Sequence, residues 1–88
     1  MREKLHRILD LVLELSEQGA THATADFHGN VNLVSVMVWE GECKEENILL
    51  HDYTYYDGEL RNEKKIDEII RTLEELKGET NERKRTYR

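Results

Sequence analysis

The chain has 88 residues, a formal charge of −6 and 36% charged side chains. That is enough for one small domain and too little for two. No apolar run approaches the roughly 18–20 residues of a membrane span, and no signal peptide is visible. The single cysteine, Cys43, cannot close an intrachain disulfide, which points to a reducing, cytoplasmic setting. Net negative charge argues against general binding to nucleic-acid backbone, where lysine and arginine must replace counterions.

The first segment predicts a helix. Leu5, Ile8, Leu9, Val12 and Leu15 recur with a 3.6-residue period, and Leu11 and Leu13 widen that stripe. Glu3, Arg7, Asp10, Glu14 and Glu17 line the other side. So wide a stripe predicts packing against both a sheet and another helix. Gly19 stands where a left-handed C-cap belongs, so the helix is expected to end near Gln18.

From His22 to His28 apolar and polar residues alternate strictly, the period of a half-buried strand. Gly29-Asn30 then signals a two-residue hairpin turn into a valine-rich strand, Val31 to Trp39. That turn pairs His28 with Val31, Ala25 with Val34 and Ala23 with Val36. Residues 40–47 form an acidic loop. Ile48 to Tyr56 predicts a third strand, closed by Asp57-Gly58. Asn62 suits a helix N-cap, Ile66, Ile69, Ile70, Leu73 and Leu76 form a narrow stripe, and Gly78 suits a C-cap.

The expected fold is therefore α+β, in the order α-β-β-β-α. It is a three-stranded antiparallel meander with two helices packed on one face. Residues 1–78 form the domain, and residues 79–88 a basic tail, frayed or extended. In that tail Glu79 and Glu82 stand against Arg83, Lys84, Arg85 and Arg88, a local +2, which leaves −8 on the body. The densest acid runs from Glu40 to Glu59. There Glu40, Glu42, Glu45, Glu46, Asp52, Asp57 and Glu59 face Lys44 alone, a local −6.

Nothing in the motifs calls for catalysis. His22, Asp26 and His28 share one strand face, but strand residues four apart lie about 13 Å from each other and cannot share a metal. Cys43 sits among carboxylates, a poor setting for a nucleophilic thiolate. No nucleophile elbow, phosphate loop, HExxH or paired CxxC occurs. The expectation is a protein without enzymatic activity, cofactor or metal. Lys64-Lys65 at the start of the second helix matches the basic cluster of double-stranded-RNA-binding domains, which share this element order. The acidic body and short first hairpin set that alternative, and a small metal protein using His22, His28 or His51, behind a protein-binding role.

If the helices cover the Ala23, Ala25 and Phe27 face, then Leu33, Met37 and Trp39 lie on the opposite, bare face. Tyr53 and Tyr55, or alternatively Tyr56, join them. Aromatics and methionine beside polar residues are the composition of interaction hot spots. The expected partner-binding set is Leu33, Met37, Trp39, Glu40, Glu42, Glu45, Glu46, Asp52, Tyr53, Tyr55 and Asp57. A homodimer through the sheets or first helices is the competing expectation.

The element order and the acids Glu40, Glu42, Glu45, Glu46, Asp52, Asp57 and Glu59 give the chain a resemblance in outline to small phage and prophage proteins. Among these it is similar to some type II-A anti-CRISPR inhibitors. The resemblance covers residues 3–78. It implies a host or phage protein as partner, with carboxylates competing for a cationic nucleic-acid site.

Overall fold

A computed structural model describes residues 1–17 and 21–86, with side chains described as far as Gly78. Helix α1 spans Arg2–Glu17, β1 Thr21–His28, β2 Leu33–Glu40, β3 Ile48–Tyr55 and α2 Glu63–Thr86, with a 3-10 turn at Glu45–Asn47. The expected α-β-β-β-α order and α+β class are what the chain adopts. The sheet order is β1-β2-β3, and both pairings are antiparallel.

The period-2 alternation of β2 sorts its side chains cleanly. Val34, Val36 and Val38 are fully buried, while Leu33, Ser35, Met37 and Trp39 alternate with them on the other face. Ile8, Leu11, Val12 and Leu15 of α1 and Ile66, Ile69 and Leu73 of α2 close over the valines. Both helices therefore lie on one face of the sheet. Small Ala23 and Ala25 on β1 also pack against this core, as does Leu50 on β3.

The first hairpin differs from its sequence expectation. His28 pairs with Leu33, Ala25 with Val36 and Ala23 with Val38. The loop is therefore the four residues Gly29 to Asn32, and β2 begins at Leu33. The Val31 N–H donates to the His28 carbonyl at 3.2 Å, and Asn32 turns left-handed at φ 57° before the strand starts. Four-residue hairpins built on such a turn are common, and asparagine tolerates that conformation. The slip is two residues. Side chains alternate with period two, so it leaves every face assignment unchanged.

A bulge lies between β2 and β3. Val38 pairs with Leu50 and Trp39 with Ile48, leaving Leu49 as the extra residue. It accounts for the broken alternation of Ile48-Leu49-Leu50. The strand ends at Tyr55, one residue earlier than expected.

Helix α2 starts where the sequence suggests. The Asn62 side-chain oxygen accepts the Lys65 N–H at 3.1 Å. Its end is a correction, because α2 runs through Gly78 to Thr86. One glycine costs a helix about 1 kcal/mol, which strong helix formers beyond it can offset. The cap expected at Gly19 lies outside the described residues.

The two helices run parallel, and ion pairs mark their seam. Lys4 reaches Glu63 at 3.0 Å and Asp67 at 2.7 Å, Arg7 reaches Glu74 at 3.4 Å, and Lys77 meets Glu14 at 2.5 Å. The hydrogen bonds that the Lys4 ammonium donates to Asp67 and Glu63 raise its pKa. The Lys77 ammonium lowers that of Glu14, and Lys4 lowers that of Glu63.

Candidate binding surface on the open sheet face

The face of the sheet turned away from the helices is built from four cross-strand rows. Leu33 lies between His28 and Tyr55, Ser35 between Asp26 and Tyr53, Met37 between Thr24 and His51, and Trp39 between His22 and Ile48. The rows are not uniform. Their β1 positions are polar, whereas β2 and β3 bring together Leu33, Met37, Trp39, Tyr53, Tyr55 and Ile48. The apolar surface is one oblique half of the face, with Tyr53 the most open at 59% exposure. Tyr55 sits here rather than Tyr56, which packs against the core. The sequence pattern alone did not single out Ile48; the bulge turns it onto this face beside Trp39.

The acids expected to flank this surface are dispersed. Glu40, Glu42, Glu45 and Glu46 are exposed at its Trp39 end, a net −3 with Lys44. This loop is folded on itself. Lys44 pairs with Glu42 at 2.8 Å, its N–H donates to the Glu42 carbonyl, and the Asn47 side chain donates to that same carbonyl at 3.1 Å. Asp57 lies beyond the far end of β3, about 23 Å away at strand rise. There its carboxylate accepts the Gly58 N–H, closing a turn in which Gly58 has φ 83°.

Asp52 is a clearer departure. It pairs with Val36 and so shares the helix-side face, where Lys65 of α2 holds it at 2.8 Å. That contact raises the Lys65 pKa, with a smaller contribution from Glu68. A run of acid in the sequence becomes three separate sites, because alternate strand residues point to opposite faces.

Among the described residues, no three His, Cys, Asp or Glu side chains gather closely enough to hold a metal ion. His22, His28 and His51 occupy three different rows of the open face. Cys43 is exposed in the acidic loop. Lys65, half of the basic pair at the start of α2, is engaged by Asp52 and Glu68. No helix among the described residues is long and apolar enough to cross a membrane. Compared with protein-family models, curated proteins and solved structures, the chain matches none.

Proposed function

We propose that this chain is a non-enzymatic protein-binding module of inhibitor or adaptor type, docking through the open face of its sheet. The observation that carries this reading is the apolar half-face of Leu33, Met37, Trp39, Tyr53 and Tyr55, left uncovered by helices that both pack on the other side. Aromatic side chains release much water when a partner covers them and lose few rotamers, and the flexible methionine adapts to the partner's contour. The Glu40 to Glu46 loop beside Trp39 adds negative potential at one end. It favours a partner with a cationic rim and steers its approach. A cytoplasmic phage-type inhibitor that competes with nucleic acid for a host protein fits this combination, in line with the outline resemblance to anti-CRISPR proteins.

The test is affinity capture from host lysate at low and high salt, with Met37→Ala/Trp39→Ala/Tyr53→Ala as the comparison. Those side chains lie outside the core, so circular dichroism should be unchanged. Loss of the captured protein with the variant supports the proposal; equal capture removes it. Neutralising Glu42, Glu45 and Glu46 should weaken capture at low salt and flatten its salt dependence.

A further inference from the structure

The second unpartnered surface lies on the opposite flank of the molecule from β3. Leu9 and Leu13 on the outer side of α1 are 41% and 50% exposed, and Phe27 on β1 is 41% exposed. With Leu5 they form an apolar shelf. A groove of about 290 Å³, walled by Arg2, Leu5, His6, Leu9 and Phe27, runs into it. Leucines four residues apart line up on a helix, so the shelf is a ridge rather than scattered contacts.

The ridge adjoins a strand edge that carries little protection. β1 is an outer strand of eight residues. Sheet edges are ordinarily blunted by lysine, proline, bulges or covering segments. The β3 side has two such devices, the bulge at Leu49 and the bridge between Tyr55 and Arg61. β1 has no lysine, arginine or proline, and its pairing with β2 is unbroken. The Ser16 hydroxyl donates to the Ala23 carbonyl at 3.1 Å, which ties the level of α1 to that of β1. A carbonyl keeps a second lone pair for a strand partner.

We propose that a second copy of this chain occupies this surface. Two β1 strands pair antiparallel about a two-fold axis near Ala25, and two α1 ridges pack across it. The register follows from the side chains. Ala25 meets its own mate, Phe27 covers the small Ala23 of the second copy, and Asp26 faces Thr24 rather than another Asp26. On the helices Leu9 lies beside Leu13 of the second copy. The charges agree with the antiparallel sense: Arg2 marks one end of α1 and Glu17 the other, and the two-fold sets them against each other. A parallel arrangement sets like beside like. Helix and strand strips are each about 23 Å long, so both layers are used together. The product is a six-stranded sheet with four helices on one side. Its two open faces then lie side by side in one surface available to a partner.

Sedimentation equilibrium from micromolar to millimolar concentration reads the outcome. The expected mass is twice the 10.4 kDa chain. Leu9→Glu/Leu13→Glu should give a folded monomer, and Met37→Glu on the open face should remain dimeric. Charge reversal provides a test independent of the apolar ridge. Arg2→Glu or Glu17→Arg alone should weaken association roughly tenfold, and the double reversal should restore it. A wild-type monomer throughout this range overturns the proposal. So does a dimer lost in Met37→Glu but kept in Leu9→Glu/Leu13→Glu, or charge reversals without effect. Partner capture by the open face is measured separately, so failure of either reading leaves the other distinguishable.

Discussion

Asp52 and Tyr53 are neighbours in the chain and stand on opposite faces of the sheet. Asp52 is held against Lys65 of α2 at 2.8 Å, and Tyr53 opens to solvent beside Ser35. Their roles should separate in the same way. Asp52→Asn removes a tie between β3 and α2, and is expected to lower the melting temperature while leaving partner capture unchanged. Tyr53→Ala should do the reverse. Lys65 has a raised pKa in the fold, so its contribution is fully present below the ordinary lysine range and disappears as pH rises through the raised value. Thermal melts at rising alkaline pH should therefore converge for wild type and Asp52→Asn. A partner-binding defect in Asp52→Asn would place this carboxylate in the interface instead.

The helix seam sets the acid limit. Glu14 and Glu63 are held below the ordinary carboxylate value of 4.5 by Lys77 and Lys4. In acid the unfolded chain takes up protons that these two carboxylates resist in the fold. Their stabilisation is present above about pH 5 and is lost as pH falls through the lowered values. The variant Glu14→Gln/Glu63→Gln should be less stable at neutral pH and lose less on acidification. An acid limb as steep as that of wild type, in melts from neutral pH downward, would contradict this origin. Added salt should shrink the difference, because all these side chains are partly exposed.

Leu11 and Leu13 carry the same side chain two residues apart on α1, and only Leu11 is buried. Leu11→Ala should cost about 2–5 kcal/mol, a large share of the stability of a domain this small. Leu13→Ala should cost under about 1 kcal/mol in the isolated chain and instead weaken self-association. Chemical denaturation at low protein concentration measures the first effect, and the concentration dependence of the midpoint measures the second.

That pair marks where the sequence stops being legible. The periodicity of Ile8, Val12 and Leu15 gives the core face of α1, and the strict alternation of β2 gives the two sheet faces. These are local properties of chain geometry. How far around α1 its neighbours extend depends on the width of the sheet below it, and three strands leave Leu9 and Leu13 uncovered. The open-face residues Leu33, Met37 and Trp39 were legible for the same reason as the core, since a period of two survives a two-residue error in register. The acids did not transfer as a group. Adjacency in sequence says nothing about face, and Glu40, Asp52 and Asp57 end in three places.

The first hairpin offers a direct test of its revised geometry. Asn32 holds φ 57° at the last loop position, and its carbonyl accepts the Tyr56 N–H at 2.9 Å. Glycine adopts this conformation freely, whereas a β-branched side chain is strained by it. Asn32→Gly should be close to neutral, and Asn32→Val should cost about 1–2 kcal/mol. If the two-residue turn at Gly29-Asn30 were the true one, position 32 would lie within the strand. Valine would then be favoured there and glycine would be costly. Equilibrium unfolding of the two variants distinguishes these orders.

Gly78 separates two accounts of the C-terminal segment. As a helix C-cap it would need a left-handed backbone, and alanine there would be strained. In the structure Gly78 lies inside α2, its φ is not positive, and an added Cβ meets nothing within 4 Å. Alanine loses less backbone freedom on folding than glycine and has the higher helix propensity. Gly78→Ala should therefore stabilise the chain by up to about 1 kcal/mol. It should also raise helix content by circular dichroism, because the residues beyond it continue the same helix. A lower melting temperature for Gly78→Ala would restore the cap and end α2 at the edge of the domain.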